Sequence, residues 1–177
     1  MHLRLYRLSI SALPALAMSA LMAIGLSVPA AFSQTAQSTK LAVASFSFED
    51  TSGETRTDKT QHDAMVKDFQ SIVSKTLSDK LKLDVTPLPC AADKCSVDDP
   101  GMESLADMAK KADARYLVAG GLHKMSTLVG WAKVVVVDLG PDGKVCDRLL
   151  SYRGDNTEAW ERAAKFAARD LIDHCMK

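Results

Sequence analysis

Apolar residues recur along this chain at two periods, and the switches between them mark out its elements. Leu41 to Phe48 (LAVASFSF) is apolar or small throughout, with aromatic residues at alternate positions, and predicts a buried strand. The polar stretch EDTSGETRTDKTQ interrupts it. Met65, Phe69, Ile72, Val73, Leu77 and Leu81 then recur in steps of three and four, which places them on one face of a helix. LDVTPLP predicts a short extended segment, because Pro87 and Pro89 end any helix. DDPGMESLADMAKKAD predicts a second helix, with Met102, Leu105, Ala109 and Ala112 inward.

From Tyr116 to Gly154 the period returns to that of strands. RYLVAGGL is a β run whose Gly120 and Gly121 imply a bulge or a close backbone approach. HKMSTLVG is a loop or strand tip, and WAKVVVVDL is a second strand with four valines that call for cover on both faces. GPDG supplies a turn, KVCDRLLSYRG a third strand, and Thr157 to His174 a closing helix with Trp160, Ala163, Ala164, Ala167 and Leu171 inward. Asp155 followed by Glu158 reads as its capping pair. The expected order is β-α-β-α-β-β-β-α. That is an α/β fold, a single layer sandwich over residues 40–177 with helices packed on a mixed sheet.

The N-terminus departs from this pattern. Arg4 and Arg7 precede a run without charge from Leu8 through Thr39, and Ala31 and Ser33 stand at the −3 and −1 positions of a cut before Gln34. Residues 1–33 therefore read as a cleaved signal peptide and residues 34–39 as a disordered leader. The rival is a permanent membrane helix, against which stand Pro14 and the small residues closing the run. Without the signal the chain has 20 basic and 22 acidic residues, a balance that suggests no nucleic-acid surface. The first cysteine is Cys90, so no lipid-bearing cysteine follows the cut and no stable membrane anchor is expected. The expected location is the periplasm.

An oxidising compartment changes the meaning of the four cysteines. Cys90, Cys95, Cys146 and Cys175 allow three pairings. Cys90 with Cys95, bracketing AADK, and Cys146 with Cys175 is the favoured one. The spacing matches neither a thioredoxin-like dithiol nor a common zinc pattern.

KLAVASFSFEDTSGE, an amphipathic helix and ADARYLVAGGLHKM leading into WAKVVVVDLGPDGKV together resemble the amino-terminal domain of TolB and the related CsgG and LpoB group of envelope proteins. The resemblance runs over about Lys40 to Asp173, in an uncharacterised family of small secreted proteobacterial proteins of this type. It implies a periplasmic protein that acts through protein contacts, and it carries over no catalytic residue. CsgG and LpoB are lipoproteins, and the lack of a lipid-bearing cysteine here departs from them.

Motifs for chemistry are sparse. The sequence has no Gly-x-Ser-x-Gly, Ser-x-x-Lys, His-Glu-x-x-His or P-loop pattern. His62 at a helix start and His174 beside the last cysteine read as solvated, and His123 as a surface residue with a ligand or base as its alternative. Glu49, Asp50, Ser52, Glu54 and Asp58 crowd one loop, but Thr55 and Gln61 stand where an EF-hand beginning at Asp50 needs Gly and Glu. Asp98 and Asp99 suit the start of the second helix. Met125, Leu128, Val129 and Trp131 surround a predicted turn, where they meet a partner, or else Trp131 starts the buried strand and the others pack beneath the last helix. The reading is a non-catalytic periplasmic accessory or adaptor protein that binds another envelope protein, without cofactor, metal or nucleic acid. The alternative is a periplasmic protein that binds a small molecule or metal through the acidic loop and His123.

Overall fold

The computed structural model describes residues 38–54, 58–141 and 143–176; the expected signal peptide and most of the leader lie outside them. The chain forms β1 (Lys40–Val43), β2 (Ser47–Asp50), α1 (Lys59–Leu81), β3 (Asp84–Thr86), α2 (Met102–Lys111), β4 (Tyr116–Lys124), β5 (Val129–Asp138), β6 (Val145–Arg153) and α3 (Thr157–His174). The sheet runs β3-β1-β4-β5-β6, and β2 also lies on β4. The pairs β1–β3, β1–β4 and β2–β4 are parallel, whereas β4–β5–β6 is an antiparallel meander. The α/β fold and mixed sheet expected from the sequence are present.

The first expected strand is two strands in register with one neighbour. Val43 opposes Val118 and Ser47 opposes Gly121, so this strand advances four residues while β4 advances three. That extra residue is a bulge. Within it, the Ser45 N–H donates to the Cys95 carbonyl (2.7 Å) and the Phe46 N–H to Gln70 Oε1 (3.2 Å). The bulge reverses the strand's alternation. An unbroken strand would put Phe46 and Phe48 on the face of Ala42 and Ala44; instead the alanines face α2 and the phenylalanines join the core on the other side.

That larger core lies under α1 and α3. Phe69, Val73 and Leu77 of α1 and Trp160, Ala164, Ala167 and Leu171 of α3 close over Val118, Leu122, Val134 and Val136. On the second face α2 covers β1 and half of β4, where Leu105 and Ala109 meet Ala42, Ala44, Leu117 and Ala119. No other helix among the described residues packs on the remaining half of that face, over β5 and β6.

The helix starts follow ordinary capping chemistry. Asp58 caps α1, accepting from the Gln61 N–H at 3.1 Å. Asn156, not Asp155, caps α3, accepting from the Ala159 N–H at 2.9 Å. Asp155 is drawn elsewhere by a buried cation. Asp98 and Asp99 fall short of α2, and their N–H groups donate to Ser96 Oγ instead. The acidic residue in the first turn of α2 is Glu103.

Both favoured disulfides are present: Cys90–Cys95 holds the loop after β3 beside the bulge, and Cys146–Cys175 ties β6 to the end of α3. The second spans 29 residues, a loop whose closure is worth about 3–4 kcal/mol in the chain-entropy account. Replacing Cys146 and Cys175 together by serine should lower unfolding free energy by roughly that amount. Denaturant unfolding measures it, with intact mass checking that the unreduced parent lacks four hydrogens.

Candidate functional site

The far end of β4 carries a lysine whose side chain is only 3% exposed. Alternation turns Lys124 to the α1 and α3 side of the sheet, at its rim. Three carboxylates meet it there. Asp155 Oδ2 lies 2.7 Å from the Nζ and Glu54 Oε2 2.8 Å, with Asp50 Oδ2 at 3.7 Å. Asp50 closes β2, Glu54 belongs to the loop before α1, and Asp155 joins β6 to α3. One ammonium therefore ties the end of β2 and two loops to the end of β4.

His62 completes the cluster. It is 4% exposed, and its Nε2–H donates to Asp155 at 2.9 and 3.1 Å, contrary to the solvated role expected from its place at a helix start. Its ring stacks on Phe48 (5.0 Å between centroids) and approaches Trp160 (5.9 Å), which Tyr152 meets edge-on at 5.6 Å. Gly130 is required here, since a Cβ on it would run into the Tyr152 ring. His62 Nδ1, Tyr152 Oη and Trp160 Nε1 are buried without hydrogen-bond partners among the described residues. Each such group costs about 1–3 kcal/mol, so the charged network must offset a polar deficit beside it.

The electrostatics follow from the geometry. Burial opposes the Lys124 charge, but hydrogen bonds to Asp155 and Glu54 and the nearby Asp50 hold its pKa above the ordinary lysine value. The Glu54 carboxyl is lowered by its hydrogen bonds to Lys124 and Thr127. Asp155 is lowered as well, its bonds to Lys124 and His62 outweighing burial. Burial, followed by the Asp155 charge, raises the Tyr152 hydroxyl. A lysine held so firmly protonated is neither a base nor a nucleophile at neutral pH. The cluster is a clamp.

The acidic loop is thereby divided. Asp50 and Glu54 turn to Lys124 and Asp58 caps α1, while His123, on the other face of β4, hydrogen-bonds Thr51 Oγ1 at 2.6 Å. Among the described residues no three His, Cys, Asp or Glu side chains are placed to hold a metal. His174 stays half-exposed at the end of α3, its Nδ1 2.9 Å from the Asp170 carbonyl.

Past Lys124 the chain turns through Met125–Leu128. Met125 and Ser126 donate to the Val129 carbonyl (3.0 and 3.2 Å), Ser126 Oγ accepts from Leu128 and Val129, and the Gly154 N–H donates to the Leu128 carbonyl at 3.0 Å. The clamp and the hairpin tip thus share two chain segments. Met125, Leu128 and Trp131 are 44, 68 and 39% exposed, and Val129 is half-buried. None of the three exposed residues packs beneath α3. Trp131 stands on the uncovered half of the second face with Lys133 and Val135, and its β6 neighbours there are Ser151, Leu149 and Asp147. Lys133 reaches outward, 3.9 Å from Asp147. Beside it is a hollow of about 400 Å3 lined by Gly120, Gly121, Val97 and Val135. Close approach explains both glycines: a Cβ on Gly120 would meet the Lys133 carbonyl, and one on Gly121 Ser47 Oγ, each at 2.6 Å. Across the sheet, a larger groove of about 910 Å3 runs between β2 and α1, over Phe46, Phe48 and Val66.

A family model described as "Protein of unknown function (DUF2380)" matches residues 39–172. The chain belongs to that family. No curated protein matches it. Among solved structures it is similar to the hypothetical protein CT253 from Chlamydia trachomatis, at 12% identity and TM-score 0.51, covering 77% of this chain and 97% of that one. The PelC dodecamer from Paraburkholderia phytofirmans has 17% identity and TM-score 0.49, covering 76% and 85%. The LpoB C-terminal domain from Salmonella enterica has 11% identity and TM-score 0.41, covering 64% and 81%. The CT253 likeness shows that this family member shares a fold.

Sequence reasoning separated Lys124, His62 and Asp155 because they lie far apart along the chain. The available signal was alternation along β4, which puts Lys124 on the face of Val118 and Leu122, where a lysine needs a counter-ion. Asp155→Asn, which removes one partner of a buried cation, should lower stability by about 2–3 kcal/mol, less than for a fully buried pair because Asp155 keeps some contact with water. Glu54 and Asp155 have folded pKa values below their ordinary 4.5 and 3.8, so their contribution is present above those values and lost as the pH falls through the folded ones. Unfolding free energies measured from neutral to acid pH should therefore show a shallower acid decline in Asp155→Asn than in the parent.

Proposed function

We propose that this protein is a non-catalytic accessory or adaptor of the cell envelope, exported to the periplasm, that acts by binding another envelope protein. The observation that carries the reading is the half-bare second face of the sheet. Trp131 and Leu149 lie there and Val145 at its end, beside a tip that presents Met125 and Leu128. Exposed apolar residues gathered on an uncovered sheet face and its adjoining tip are of the kind that marks interaction surfaces, and Trp and Met are enriched at interface centres. Two disulfides support an oxidising compartment. The resemblance to TolB-like domains, argued from the KLAVASFSFED and ADARYLVAGG segments, favours the same role. The competing metal reading loses its ligand set, because the acidic loop is divided between Lys124 and the α1 cap while His123 faces the other way.

Affinity capture from a periplasmic extract tests the proposal. Leu128→Ala and Trp131→Ala should each retain the parent's melting temperature within a few degrees and reduce recovery of a stoichiometric protein partner at least about tenfold, as expected for hot-spot residues. Undiminished recovery by both variants, or a metal-dependent thermal shift with no protein partner, would overturn it.

A further inference from the structure

We infer that β6 pairs with β6 of a second copy of this chain, antiparallel about a two-fold axis at Leu150. β6 is a nine-residue strand at one edge of the sheet, without proline, glycine or bulge. Asp138 donates to the Lys144 carbonyl and Gly154 to that of Leu128, so the even-numbered residues of β6 hydrogen-bond toward β5. Val145, Asp147, Leu149, Ser151 and Arg153 consequently turn their N–H and C=O groups outward. All five residues are exposed, and none makes another backbone hydrogen bond among the described residues. A long edge of this kind is a template for pairing with another strand, and the charges on it decide which strand fits.

The side chains select the occupant and the register. With the axis at Leu150, Asp147 of each copy lies directly opposite Arg153 of the other, and Leu149 opposite Ser151. Both charge pairs form at once because a two-fold interface repeats every contact. Moving the axis to Leu149 sets Arg153 against Val145, and moving it to Ser151 sets Arg153 against Leu149. Only the central register matches charge with charge. It also matches residues with outward backbone groups, giving about eight inter-chain hydrogen bonds. The sheet becomes continuous across both copies, and Val145, Leu149 and Trp131 of each lie on the same side of it. The Cys146–Cys175 disulfide and the Arg148–Asp170 pair at 2.5 Å fix β6 to α3 and leave its edge free.

Sedimentation of the purified protein over a wide concentration range should show a monomer–dimer equilibrium. Arg153→Asp and Asp147→Arg each place like charges directly opposite, twice per dimer, and should weaken dimerisation at least about tenfold. Mixing the two variants should restore a dimer, because one chain is then acidic at both positions and the other basic at both, so each facing pair is again of opposite charge. The restored heterodimer also shows that both variants are folded. A parent that stays monomeric at every concentration, single variants that dimerise like the parent, or a mixture that remains monomeric would overturn the inference; in the first case the edge is left for a strand of another protein.

Discussion

The rim of this molecule depends on one buried ammonium. Lys124 closes β4 at the point where β2 ends, α1 is about to begin and β6 hands over to α3. Carboxylates from three segments converge on it because a lysine withdrawn from water must be matched by opposite charge at hydrogen-bond distance. The match does more than neutralise. Asp155 also orients His62, which stacks on Phe48 and approaches Trp160, so a charged clamp is joined to the aromatic end of the core. The unpartnered polar atoms of His62, Tyr152 and Trp160 are a cost at this end of the core, which the surrounding aromatic packing and the charged clamp must offset.

The bulge between β1 and β2 makes that arrangement geometrically accessible. One extra residue moves Phe46 and Phe48 to the side of α1 and α3 and brings Asp50 level with Lys124. It also makes the two faces unequal. The phenylalanine side receives two long helices, whereas the alanine side is shallow enough for the ten-residue α2 alone. The uncovered part of that second face is the area where Trp131 and Leu149 remain exposed. That asymmetry leaves the area bare, and the hairpin tip beside it shares two chain segments with the clamp.

Element order was legible in the sequence because periods of two and of three to four residues alternate cleanly, and α3 falls on Thr157–His174 as the pattern implied. The disulfides were legible from spacing together with the oxidising compartment expected from the N-terminus. The bulge was not, since LAVASFSF is apolar or small at every position and so hides a change of face. Asp155 and His62 were misjudged for a different reason. Local chemistry offered each an ordinary role, a cap and a solvated helix start, and a distant lysine overrode both. Met125, Leu128 and Trp131 could be placed around a turn from sequence, but the exposure of Trp131 was decided by which half of the sheet α2 covers.

If the clamp holds the tip, loosening one must loosen the other. Amide hydrogen exchange in Asp155→Asn tests this directly. The account predicts faster exchange at Thr51 and Gly154, whose N–H groups bond across the rim, and at Val129, whose N–H is held by Ser126 in the tip, with Val134 and Val136 in the middle of β5 still protected. Unchanged protection at the rim, or a uniform loss across the whole sheet, would contradict the claim that Lys124 and Asp155 act as a local clamp on the rim and the hairpin tip.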